Sequence, residues 1–107
     1  MHFAGLTFAV IGMAIAVQQV QAQELGDRQK GRVLARQVCG ACHAVRARDV
    51  RSPNSRAPSF ATIASTPGMT AIALNVFLRT SHSTMPNIIL TADQTNGIIA
   101  YILSLKK

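Results

Sequence analysis

Apolar side chains recur at the spacing of helices in three stretches of the chain, and no stretch alternates as strands do. The first stretch, residues 27–38, is typical of a short amphipathic helix, with Asp27 near its positive end and Gly40 placed to end it. Leu25, Val33, Leu34 and Val38 supply the apolar positions, and Arg28, Lys30, Arg32 and Arg36 supply the exposed face. This helix would deliver Cys39 and Cys42 at its end.

Two further helices are predicted in the second half of the chain. Thr66 and Pro67 are typical of an N-cap followed by proline at the first helical position, in a helix that ends near Thr80. Residues 91–94 form a capping box at the start of the last helix, and residues 60–64 suit a short helical turn. The apolar positions are Met69, Ile72, Val76 and Phe77 in the earlier helix, and Ile98, Tyr101, Ile102 and Leu105 in the last.

The beginning of the chain has the pattern of an export signal. An apolar stretch up to Val17 is followed by small or aliphatic residues at the cleavage positions around Ala22. This stretch is shorter than the ~20 residues that span a bilayer. Because the start carries His2 but no Lys or Arg, an uncleaved anchor stays open as an alternative. We predict a signal peptide over residues 1–22, cleaved near Ala22, and one domain over residues 23–107.

Cys39-Gly40-Ala41-Cys42-His43 is the most informative segment of the chain. Two cysteines that are two residues apart and are followed at once by histidine form C-x-x-C-H, the attachment signature of a c-type haem. Each thiol can add across one vinyl group of the porphyrin, and His43 is then held beneath the iron as its proximal ligand. The motif predicts one haem c, bound covalently through Cys39 and Cys42.

Three other kinds of site use a pair of cysteines, namely a disulfide, a thioredoxin-like redox pair and part of a zinc site. A thioredoxin-like pair follows a strand, whereas the residues before Cys39 are predicted to be helical. A zinc site needs four ligands, and only His2 and His82 remain to complete one, of which His2 belongs to the predicted leader. Haem attachment is therefore favoured. Because bacteria attach haem to such motifs outside the cytoplasmic membrane, it also predicts a periplasmic protein.

Met85 is the candidate for the second axial ligand of the iron. It lies between two predicted helices in His82-Ser83-Thr84-Met85-Pro86-Asn87, and Pro86 disfavours helical backbone at Met85. Thioether sulfur is a soft ligand that suits ferrous iron. The alternative role of a methionine is core packing, which we expect of Met69 but not of Met85 among its polar neighbours. His82 is the rival ligand, although such a histidine is more often a half-exposed polar residue.

The net charge points to acidic partners. Eleven Lys and Arg against four Asp and Glu give a formal charge of +7. We expect no nucleic-acid partner for an exported chain with few aromatic residues, and an acidic redox protein fits the charge better. Four of the basic residues lie in the predicted loop 44–59, where they are either solvated or bind a haem propionate with paired hydrogen bonds. They are Arg46, Arg48, Arg51 and Arg56.

Together these segments resemble a class I c-type cytochrome, of the small exported monohaem kind found in proteobacteria. The resemblance rests on Gly31, the C-x-x-C-H motif, Arg56-Ala57-Pro58-Ser59-Phe60, Thr84-Met85-Pro86-Asn87 and the terminal Ala100–Leu105. It implies an all-α cytochrome c fold in which three main helices and their loops surround one haem. The first and last helices are then expected to cross closely, with Gly31 allowing the approach of Tyr101. The Pro58 carbonyl is expected to accept the Nδ1–H of His43.

The resemblance implies an electron carrier with His43 and Met85 as axial ligands, and not an enzyme. We expect a monomer that meets a membrane only through partner complexes or an uncleaved leader. Two alternatives stay open. One is an obligate electron-entry subunit of a periplasmic dehydrogenase or oxidase, and the other is a gas- or peroxide-binding haem protein, for which no distal His or Arg motif is evident.

Overall fold

The computed structural model describes residue 1 and residues 26–107, and this part of the chain contains helices and no strand. The helices are α1 (Arg28–Val38), α2 (Phe60–Ser65), α3 (Ala71–Arg79) and α4 (Ala92–Ser104). The predicted all-α class is therefore confirmed, with α2 as the short helical turn. The predicted signal peptide, its cleavage near Ala22 and the apolar position Leu25 lie outside the described residues, apart from Met1.

The first and last helices begin where the sequence predicts, because their first free N–H groups find partners nearby in the chain. The Asp27 side chain accepts a hydrogen bond from the Lys30 N–H at 3.1 Å. Thr91 and Gln94 form the predicted capping box, in which each side chain accepts the other's backbone N–H, at 2.9 and 3.2 Å. Both starts are thus decided within a few residues of sequence.

The start of α3 differs from the prediction. Thr66 is the residue after α2, and Thr70 is the N-cap of α3, where its side chain accepts the Ala73 N–H at 3.1 Å. Gly68 lies between them with a φ of 77°, a left-handed conformation that breaks the helical path. The Thr66-Pro67 start is therefore wrong, because this segment turns the chain from α2 into α3.

The apolar side of α3 is only partly covered by the described residues. Leu74 is buried, whereas Ile72, Val76 and Phe77 are 79%, 58% and 55% exposed. Met69 precedes the helix and packs, partly buried, against the core, as expected of a core-filling methionine. The apolar residues whose spacing predicts α3 therefore form a face that is largely exposed.

Helix α4 is the centre of the core and packs against each of the other three helices. Its predicted apolar stripe is confirmed, with Ile98, Tyr101 and Ile102 buried and Leu105 half-buried. Among the described residues, Ile98 is the largest side chain that is fully buried. The remaining buried residues of the core are Ala35, Val45, Phe60, Ala64, Leu74 and Ile99.

The first and last helices cross at a pair of glycines. A Cβ atom on Gly31 would overlap the Gly97 carbonyl and lie 2.8 Å from the Ile98 nitrogen. The close crossing is as expected, and the atoms nearest to a Cβ on Gly31 belong to Gly97 and Ile98. The main chain of Gly97, one helical turn before Tyr101, lies next to Gly31, because Gly31 has no Cβ to hold the two backbones apart.

Replacing Gly31 by alanine should destabilise the protein, although alanine favours helix. The added methyl group would collide with backbone atoms that cannot rotate away, so we expect the free energy of unfolding to fall by about 1–3 kcal/mol. Gly97→Ala is the matched control, because a Cβ there would meet its nearest atom, the Asp27 carbonyl oxygen, at 3.1 Å. Urea unfolding should show a larger loss for Gly31→Ala. An equal or larger loss of stability for Gly97→Ala would contradict this account of the crossing.

Candidate functional site

The C-x-x-C-H segment forms a tight turn directly after α1. Cys39 ends the helix by donating its N–H to the Ala35 carbonyl at 2.8 Å. Its own carbonyl then accepts the N–H groups of Cys42, at 3.1 Å, and of His43, at 2.9 Å. The helix and this turn therefore bring both cysteines and the histidine together at one place on the molecule.

The two cysteines are free, half-buried thiols. Burial raises the pKa of the Cys39 thiol, because a thiolate would lose its hydration there. Within residues 26–107, no three His, Cys, Asp or Glu side chains come together as metal ligands. The described residues therefore assemble no four-ligand zinc site, and two thiols in one turn are what thioether attachment of a haem requires.

The orientation of His43 is set by a hydrogen bond across the following loop. Its Nδ1 lies 2.7 Å from the Pro58 carbonyl oxygen. Because a carbonyl only accepts, Nδ1 carries the proton, and in the neutral ring Nε2 keeps the lone pair that binds a metal. This contact, expected from the resemblance, is confirmed, and it leaves Nε2 as the ring nitrogen that could bind a metal.

The backbone around His43 is held by contacts that the sequence did not reveal. Asn54 donates its N–H to the Cys42 carbonyl at 3.1 Å, and the Ala44 N–H donates to the Ser52 hydroxyl at 3.0 Å. Phe60 closes the loop by donating its N–H to the Ala44 carbonyl at 2.9 Å. No local pattern marks these residues, because each partner lies eight to sixteen positions along a loop without periodicity.

Helix α4 reaches the same segment through aromatic side chains. The buried Tyr101 hydroxyl donates to the Val45 carbonyl at 2.5 Å. Phe60 lies between Tyr101 and His43, with its ring centroid 6.4 Å from the Tyr101 ring and 5.5 Å from the His43 ring. Tilted aromatic contacts of this kind are favourable and restrict ring rotation. Helix α4 thus supports the candidate proximal ligand through Phe60 and Val45.

Met85 and His82 lie in the segment between α3 and α4, which is free of helix as predicted. Both residues are half-buried. The His82 ring is already engaged, since its Nε2 lies 2.8 Å from the Phe77 carbonyl oxygen and its plane stacks on the Phe77 ring. The Met85 sulfur makes no hydrogen bond in the described part of the chain. Its lone pairs are therefore available to a metal.

The four arginines of the loop 44–59 share one feature, their exposure. Arg46, Arg48, Arg51 and Arg56 are all exposed, in a segment without helix as predicted. Val50 lies among them and is 86% exposed.

Within the described part of the chain, no helix is long and apolar enough to cross a membrane.

Comparison with known proteins supplies one informative relative. No protein-family model matches the sequence, and no solved structure matches it significantly. The chain is 31% identical over 106 residues to cytochrome c-552 of Bradyrhizobium diazoefficiens, and the alignment covers 99% of this chain and 97% of that protein.

An all-α fold with a C-x-x-C-H turn, together with this full-length similarity, defines the class. The chain belongs to the c-type cytochromes. Membership implies electron transfer by a covalently bound haem c. The two cysteines that such a haem requires are present as Cys39 and Cys42.

Proposed function

We propose that the protein is an exported carrier of single electrons with one haem c, bound through Cys39 and Cys42 and ligated by His43 and Met85. The observation that carries the proposal is the geometry of His43. It follows the two free thiols in one turn, and its Nδ1–H is committed to the Pro58 carbonyl. Nε2 is then the only ring nitrogen with a lone pair for iron.

The described residues fit a porphyrin in a second respect. The chain leaves large apolar side chains uncovered on α3 and in the segment after it, among them Ile72, Val76 and Ile89. Exposed apolar area of this kind is costly in water and stabilises a complex when an apolar cofactor covers it. A small domain with a thin core gains stability in this way.

Met85 is favoured over His82 as the second axial ligand. The His82 Nε2–H faces the Phe77 carbonyl, so binding iron through Nε2 would break this bond, and only Nδ1 of a ring held against Phe77 keeps a lone pair. The Met85 thioether needs no such rearrangement of hydrogen bonds. Methionine opposite histidine also raises the reduction potential relative to two histidines, which suits a carrier.

In this proposal no residue has a catalytic role. His43 and Met85 stay bound in both oxidation states, so little structural reorganisation accompanies electron transfer. Rapid binding of carbon monoxide to the reduced protein would instead indicate an open sixth position and a gas- or peroxide-binding function. Co-purification with a dehydrogenase or oxidase at fixed stoichiometry would indicate an obligate subunit.

Location and partners follow from the leader and the charge. The predicted signal peptide over residues 1–22 supports a periplasmic protein, and the excess of basic residues supports brief docking to acidic redox partners. One of the exposed loop arginines is proposed to bind a haem propionate, since guanidinium and carboxylate form paired hydrogen bonds.

The attachment proposal predicts a pigment that cannot be extracted. Because both thiols would form thioethers, protein denatured in acid and organic solvent should keep its colour, and its mass should exceed that of the polypeptide by one haem. His43→Ala should fail to give a normal low-spin spectrum, since no neighbouring residue can replace the ligand. Release of the pigment into the solvent would overturn covalent attachment.

The axial-ligand proposal predicts different results for Met85 and His82. Met85→Ala should remove the weak near-infrared sulfur-to-iron band of the oxidised protein and admit added ligands, whereas Met85→His should lower the reduction potential. His82→Ala should keep the band under the same conditions. Survival of the band without Met85, or its loss with His82 alone, would refute the assignment.

The partner proposal predicts that electron transfer to an acidic acceptor slows as salt is added. Electrostatic steering weakens as the Debye length shortens, to about 8 Å at physiological ionic strength. Arg46→Gln and Arg48→Gln should lower the association rate more than they change dissociation. Arg32→Gln on the exposed side of α1 is a control with the same change in net charge. A rate that is independent of salt would favour an apolar interface or a permanent complex.

A further inference from the structure

We propose that His82 is a positioning residue that fastens the segment carrying Met85 to the C-terminal end of α3. The proposal rests on the ligation by Met85 proposed above. Its basis is that the His82 ring makes two contacts, one polar and one aromatic, with the same residue, Phe77. His82 is thus assigned to support the ligand and not to replace it.

The polar contact gives a carbonyl at the helix end a second, shorter hydrogen bond. The last carbonyls of a helix have no partner within it, and histidine side chains near the end can supply one. The Phe77 carbonyl belongs to this last turn of α3, and the His82 Nε2–H donates to it at 2.8 Å. The backbone N–H of Thr80 lies farther from the same oxygen, at 3.4 Å, so His82 is the closer donor.

The aromatic contact fixes the ring in a second direction. The His82 and Phe77 ring centroids lie 5.5 Å apart and their planes differ by 22°, an offset-stacked arrangement. A hydrogen bond in the plane of the imidazole and a stack on its face together restrict both translation and rotation of the ring. His82 is therefore an anchor, three residues before Met85.

A further contact joins the two ends of the segment that contains Met85. The Asn87 side-chain amide donates to the Ser81 hydroxyl at 3.3 Å. Met85 therefore lies in a short loop whose beginning and end are linked, and whose beginning is anchored to α3 through His82. A shift of this loop would carry the sulfur away from iron, and the anchor opposes that shift.

The test is imidazole binding to the oxidised holoprotein, followed by loss of the near-infrared sulfur-to-iron band. Imidazole binds when Met85 leaves, so weakening the anchor should raise its affinity. Because a hydrogen bond and an aromatic stack each change such an equilibrium by roughly 2- to 10-fold, we expect about 10-fold tighter binding for His82→Ala. Phe77→Leu, which removes the stack but keeps the carbonyl, should tighten imidazole binding about 3-fold.

Two further comparisons separate positioning from general stability. His82→Gln can restore a side-chain N–H donor without the ring, and should recover part of the wild-type affinity. In the His82→Ala background, Phe77→Leu should change the imidazole affinity very little. If the two substitutions destabilised the protein independently, their effects on the affinity would add. Thr80→Val is the matched control, because its hydroxyl donates to the Val76 carbonyl within the helix end and does not hold the loop.

The outcomes distinguish the two proposals. A wild-type protein without the sulfur-to-iron band would overturn ligation by Met85 and the role of the anchor with it. A wild-type protein with the band, but with the same imidazole affinity in His82→Ala as in Thr80→Val, would overturn the anchor alone. Tighter binding in His82→Ala and Phe77→Leu, less than additive in the double variant, would support it.

Discussion

The contact between the backbones of Gly31 and Gly97 is the constraint on which the rest of the structure depends. Helix α1 buries no large side chain, only Gly31 and Ala35, so its position is decided by how closely it approaches α4. Cys39 follows Ala35 by four residues and lies on the same side of the helix, where it packs against the core. The glycine crossing therefore determines where the attachment turn begins.

The same crossing sets which part of α4 faces that turn. Tyr101 lies one helical turn after Gly97, and its hydroxyl reaches the Val45 carbonyl two residues beyond His43. Phe60 fills the space between the Tyr101 and His43 rings. Placement of the candidate proximal ligand is therefore a consequence of helix packing, with the Pro58 hydrogen bond as the final adjustment of ring orientation.

The two candidate axial ligands are supported unequally. The backbone around His43 is bonded to a loop, to α2 and to α4, and much of it is buried. The segment around Met85 is mostly exposed and depends on the contacts of His82 and Asn87. Regions with few buried contacts open at lower free energy than the core. With both residues as the proposed ligands, we therefore expect ligand exchange at the iron on the Met85 side.

Local chemistry made much of this molecule predictable from sequence alone. The caps at Asp27 and Thr91, the turn at C-x-x-C-H and the helix-free segment around Met85 each depend on residues a few positions apart. The start of α3 differs from the prediction because Thr66-Pro67 is a valid local signal that the chain reversal at Gly68 overrides.

Only the tertiary structure decided the partner of Gly31 and the contacts of Ser52, Phe60 and Tyr101, since these join residues distant in sequence and carry no periodic signal. It also decided that the His82 ring bonds to and stacks on Phe77, because stacking and hydrogen-bond direction depend on how the chain leaves α3.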